Sequence, residues 1–117
     1  MRTEVSQAAP TRNGCWRRND VYVPLTVLLE TEWVPRGVFG IPTAEVVRAL
    51  RGFARLPRVT VESADTAAQA LDWAERGLDF ADAHYLAAAR PHGGFVTFDK
   101  ALARTGRRLG VPTARNP

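Results

Sequence analysis

Three short β-branched or aromatic runs, Val21-Tyr22-Val23, Val59-Thr60-Val61 and Phe95-Val96-Thr97-Phe98, are separated by stretches of helical periodicity. That alternation limits the fold more than any other feature. Parallel strands need a crossover of a dozen or more residues, usually a helix. The pattern therefore predicts an α/β chain, a short parallel sheet with helices on its faces in three α/β/α layers.

Caps and breakers place the helices. Thr26 can cap a helix through Val34, which Pro35 kinks or ends, and Gly37 and Gly40 supply the turn. Thr43 can cap a second helix, with Val46, Val47, Leu50 and Phe53 at helical spacing and Pro57 as its stop. Ser63 to Arg76 carries Ala67, Ala70, Leu71 and Ala74 on one face and ends at Gly77. Asp79 opens a fourth helix through Arg90, with Ala81, Tyr85, Leu86 and Ala89 available to pack. Gly93-Gly94 leads into the third strand, and a basic helix starts near Lys100. An extended piece begins at Val111, and Pro112 excludes it from a central strand. Trp33 and Trp73 lie within apolar helical patterns and are expected in the core. Met1 to Asp20 shows no period and reads as a poorly defined N-terminal segment (residues 1–20), ahead of a domain over 21–117.

A length of 117 residues suits one domain, and 45% hydrophobic with 24% charged residues is ordinary for a globular chain. No apolar run approaches a membrane span, and the N-terminus has no signal-like apolar stretch. Cys15 is the single cysteine, so an intrachain disulfide is impossible and a reducing cytoplasm is expected. The net charge of +4 rests on fifteen arginines and one lysine, which favours an anionic partner but is also what a GC-rich coding sequence yields. Its distribution says more. Seven acids against two arginines fall between Glu62 and Asp99, whereas Ala101 to Pro117 holds Arg104, Arg107, Arg108 and Arg115 and no acid. A metal site beside a phosphate-binding surface would have that asymmetry, and so would a solvated helix followed by a basic tail.

Ligands of parallel sheets collect at the carboxyl ends of the strands. Glu30, Asp82 and Asp99 fall where chain order could bring them there, and hard cations such as Mg²⁺ want oxygen ligands. Each aspartate has a plainer explanation. Asp99 can cap the last helix, and Asp79 with Asp82 three residues on can form a capping-box-like pair. Glu30 has Thr26, Val27, Trp33 and Val34 at helical spacing and no cation, whereas Glu32 has Arg36 four residues on. That contrast selects Glu30. His84 and His92 lack the spacing of a zinc site, and Cys15 has no catalytic companion near it.

Three segments carry a family resemblance. Val23-Pro24-Leu25-Thr26-Val27-Leu28-Leu29-Glu30-Thr31-Glu32-Trp33 resembles the PIN-domain segment that bears an acidic site residue. Leu78-Asp79-Phe80-Ala81-Asp82-Ala83-His84-Tyr85-Leu86-Ala87 is similar to the family's aspartate-led helix. Phe95-Val96-Thr97-Phe98-Asp99-Lys100 is similar to its final T-x-D strand end. The resemblance runs from about Val21 to about Thr113 and is strongest to VapC-like toxins of type II toxin–antitoxin modules. It implies a Mg²⁺- or Mn²⁺-dependent endoribonuclease acting on RNA, usually a homodimer, held inactive by a cognate antitoxin protein. It carries over Glu30, Asp82 and Asp99 as catalytic metal-site acids, Asp79 as an accessory metal acid and Thr97 as a hydroxyl near the site.

The family's first strand, which ends in an aspartate, has no counterpart here, so the expected domain is N-terminally incomplete. An upstream start, a decayed toxin, or substitution by Glu4 or Asp20 would each account for the gap; neither of the last two follows a strand. Two functions stay open from the sequence. One is a metal-dependent toxin ribonuclease. The other is an inactive PIN remnant that binds an antitoxin or itself.

Overall fold

In a computed structural model of the chain, the described residues are 20–92 and 94–111. The reading of Met1 to Asp20 as loop falls outside them except at Asp20, and the extended piece beyond Val111 lies outside them too. The elements are β1 (Val21–Val23), α1 (Leu25–Trp33), a π-helical segment (Val34–Val38), α2 (Thr43–Ala54), β2 (Val59–Val61), α3 (Ala64–Glu75), α4 (Phe80–Ala89) and α5 (Lys100–Arg108). The chain divides into two compact units with the boundary after Ala68, inside α3.

In the first unit, β1 and β2 pair in parallel, with Val21 opposite Val59, Tyr22 opposite Thr60 and Val23 opposite Val61. Three rungs make a weak ladder, and polar clamps close both ends. At the amino end the Val21 N–H donates to the Arg58 carbonyl at 2.8 Å. There the Arg58 Nη1 also donates to the buried Asp20 carboxylate at 3.0 Å. At the carboxyl end the Glu62 N–H donates to the Val23 carbonyl at 2.9 Å, and the Leu25 N–H donates to Glu62 Oε1 at 2.9 Å. One of the orphan donors at the start of α1 is thus satisfied from β2 rather than locally. This corrects the expectation for Thr26: Pro24 occupies the cap position and Thr26 lies within the helix. Thr43 likewise is the first residue of α2, behind Pro42.

Pro35 does not stop the helix. It has no N–H to give and its ring crowds the carbonyl four residues back; the chain answers by loosening into a π-turn, which shifts the bonding pattern by one residue. Helical geometry therefore continues to Val38 and keeps Arg36 over Glu32. The guanidinium grips that carboxylate with two bonds, Nε to Oε2 at 2.7 Å and Nη2 to Oε1 at 3.2 Å. Glu32 is only 2% exposed, so the pair offsets the cost of a buried charge. Trp33, expected inside, is 54% exposed. Its indole lies close to the Gly37 backbone: a Cβ there would sit 3.0 Å from Cε2, so a larger residue would need the ring to give by a few tenths of an ångström. The core of this unit is formed by Tyr22, Val23, Leu28, Val46, Val47 and Leu50.

Along α3, Ala67, Ala70, Leu71 and Ala74 are buried as their spacing predicts, and so is Trp73. Gly77 ends the helix region with φ of 105°, a conformation that suits glycine. On α4 the buried face is Phe80, Ala83, His84, Leu86 and Ala87. Ala81 and Tyr85 point outward, against expectation. The largest departure is Phe95 to Phe98. Val96 makes a single bridge and no strand forms there among the described residues. A strand is held by its neighbour's hydrogen bonds, and a β-branched, aromatic run does not become one without that ladder.

The Glu32–Arg36 pair gives a test. Arg36→Ala strands a buried carboxylate and should cost about 2–3 kcal/mol in urea denaturation. Glu32→Gln should cost clearly less, because the half-exposed Arg36 can turn to water.

Candidate active site

In the second unit the chemistry-bearing residues stand at helix starts. Asp79 precedes α4 in an extended conformation, and its Oδ2 accepts the Asp82 N–H at 3.2 Å. Asp82 occupies the first turn of that helix. Asp99 precedes α5, and its Oδ1 accepts the Leu102 N–H at 3.0 Å. Thr97 fixes the approach, since its Oγ1 accepts the Asp99 N–H at 3.1 Å. The capping roles weighed from the sequence for Asp79 and Asp99 are thus both present. They do not exclude a ligand role, because the Asp99 cap engages one carboxylate oxygen and leaves the other.

These carboxylates feel one another. The Asp82 carboxyl is held above its usual range first by burial and then by the negative charges of Asp79 and Asp99. Among the described residues it has neither a hydrogen-bond donor nor a cation paired with it. Like charges gathered around one carboxylate are what an oxygen-seeking cation relieves. Among the described residues, no three His, Cys, Asp or Glu side chains converge as a group able to hold a metal ion. Mg²⁺ asks less than that, since it is commonly held by one or two carboxylates, waters and substrate phosphates. The oxygen-only donor set of Asp82 and Asp99 fits such an ion.

Glu30 lies on α1 in the first unit and is exposed. The reason for selecting it, an apolar setting that needed a partner, does not hold: water solvates it, and the buried acid of that helix is Glu32. Its role as a ligand rests on the family pattern alone. The buried Asp20 carboxylate is occupied by Arg58. His84 is buried with its ring edge-on to Phe80, centroids 6.2 Å apart, which makes it a packing residue.

Sequence reasoning missed Phe98. Its place in the run Phe95 to Phe98 marked it as strand core, whereas it is 89% exposed. Nothing in the local sequence signals this, because residue type does not tell which side of an extended run faces water. Beyond it, α5 turns Leu102, Ala103 and Gly106 inward and presents Lys100, Arg104, Arg107 and Arg108 outward. The basic flank read from composition is thus one face of one helix.

The PIN domain family model matches residues 6–108, and the chain belongs to the PIN-domain family. The match begins ahead of Val21, where the resemblance was first legible. Proteins of this family are generally nucleases that bind RNA and typically use divalent metals, so a nuclease-type function follows. The chain has no match among curated proteins or among solved structures. Among the described residues no helix is long and apolar enough to cross a membrane.

The raised Asp82 carboxyl generates a prediction with a definite sign. The folded state holds this proton more tightly than the unfolded chain, so the Asp82 contribution to stability grows as pH falls through the folded-state value toward the ordinary one. Asp82→Asn should raise the unfolding temperature at pH 7 and remove that acid-side increment. Thermal unfolding across pH 3.5 to 7 reads both effects.

Proposed function

We propose that this chain is a metal-dependent endoribonuclease of the VapC type, the toxin of a type II toxin–antitoxin module, working in the cytoplasm as a homodimer and restrained by a cognate antitoxin. The observation that carries the nuclease reading is the mutual repulsion of Asp79, Asp82 and Asp99 at the starts of two helices, next to a cationic helix face. Asp82 and Asp99 would hold Mg²⁺ or Mn²⁺, with Asp79 as accessory and Glu30 as a further acid on family resemblance alone. Such an ion, when bound, supplies charge neutralisation at a phosphodiester and a more acidic water.

The chain's own residues do the rest. The Leu102 N–H fixes how the Asp99 carboxylate is aimed, and the Thr97 hydroxyl oxygen fixes the backbone that carries it. Two helix starts place partial positive charge behind Asp82 and Asp99, which tempers a crowd of carboxylates without neutralising it. Lys100, Arg104 and Arg108 offer cations to RNA phosphates.

A second reading, an inactive PIN remnant that binds an antitoxin or itself, is favoured by the absence of a three-acid group among the described residues. It is also favoured by the exposed apolar side chains Trp33, Val38, Phe39 and Ile41. One assay separates the two. The full chain with Mg²⁺ and labelled RNA should cleave, and EDTA should abolish cleavage. Asp82→Asn, Asp99→Asn and Glu30→Gln should each reduce the rate by roughly two orders of magnitude. Asparagine still caps a helix, so Asp99→Asn removes charge without unwinding α5. Cleavage that survives all three substitutions contradicts the metal-site assignment, and a metal-loaded chain that never cleaves supports the remnant.

A further inference from the structure

Phe98 is the most exposed large apolar side chain among the described residues, at 89%. It sits one residue before the capping acid Asp99 and two before a helix whose outer face is cationic. A bare aromatic ring in that position is costly to leave in water and serves no packing role in the second unit. Lys100, Arg104 and Arg108 follow at four-residue intervals, so they lie on one stripe that runs about 12 Å along α5. Among the described residues none of the three is paired with a carboxylate. Like charges four apart weaken a helix, so the stripe costs stability that an anionic partner restores.

An exposed ring at the head of a cationic stripe has the two parts of a single-strand nucleic-acid binder: a surface for a base to stack on and a track for the backbone. The charge complementarity favours a polyanion over an apolar protein segment as the occupant. Stacking also requires an unpaired base, because a base inside a duplex offers no free face.

We propose that Phe98 is a stacking platform for an unpaired base next to the scissile phosphodiester, and that the Lys100–Arg104–Arg108 stripe tracks the flanking backbone. This inference rests on the ribonuclease reading and extends it to the residues that seat the strand.

The test measures binding of the full chain, in EDTA to prevent cleavage, to a fluorescein-labelled 12-nucleotide oligoadenylate. The comparison probes are the same length of abasic backbone and the oligoadenylate paired in a duplex. Phe98→Ala should weaken oligoadenylate binding about 10-fold, within the range for losing one stacked base. Phe98→Trp should stay near the parent, and Phe98→Leu should behave as alanine. Phe98→Ala should lose nothing on the abasic strand and should narrow the preference for single strand over duplex. Arg104→Ala should weaken all charged probes alike and flatten the salt dependence by about 0.7 in log–log slope.

Equal binding by Phe98→Ala and the parent overturns the inference, as does full rescue by leucine; either result points to Phe98 as an apolar protein contact. If the parent cleaves RNA while Phe98→Ala is indistinguishable from it, this inference falls and the ribonuclease reading stands. If the parent neither binds nor cleaves RNA, both fall.

Discussion

The first unit depends on a ladder of three rungs. Two parallel strands of three residues cannot hold themselves together in water, and their chain neighbours show how they are held. Asp20 and Arg58, each one residue ahead of its strand, close one end with a charge-assisted bond. Glu62, one residue past β2, closes the other by donating its N–H to Val23 and accepting the first N–H of α1. The same Glu62 charge, after burial, raises the Tyr22 hydroxyl above its ordinary range. Register, helix start and core entry are therefore fixed together at the strand ends.

Much of this was legible in the chain. β1, β2, α3 and α4 fall where β-branched runs, the alanine stripe and Asp79 put them, because each carries its own punctuation. The failures have a common cause. Thr26 and Thr43 looked like caps because a capping residue is judged by its neighbours in sequence, whereas the acceptor for the first N–H of α1 is Glu62, 37 residues away. Phe95 to Phe98 looked like a strand because side-chain type signals a pleated surface but cannot supply the neighbour. Trp33 looked buried because it lies within an apolar helical pattern, which does not tell which side of the helix meets the core.

The site shows the same division. Asp79, Asp82 and Asp99 were singled out from chain order and family pattern, and Asp79 and Asp99 cap helices while Asp82 lies in the first turn of one. What spacing could not tell was that capping and charge crowding are one arrangement rather than rivals. A carboxylate that accepts a helix N–H is held still by that bond, which suits it to present its remaining oxygen to a cation. The sequence argument for Glu30 was about burial, and burial fell to Glu32 instead, because an arginine one helical turn on can follow its partner inward and a bare carboxylate cannot.

The π-helical segment after Trp33 has a consequence for how this chain tolerates change in length. A π-turn holds one residue more than the α-turn it replaces, so every side chain beyond it is rotated by about 100° from where a continuous α-helix would aim it. Glu32 and Arg36 straddle that phase step. Deleting one residue between Val34 and Val38 would change the direction in which the chain leaves α1 toward α2, so the extra residue is part of the fold's register rather than slack in a connection.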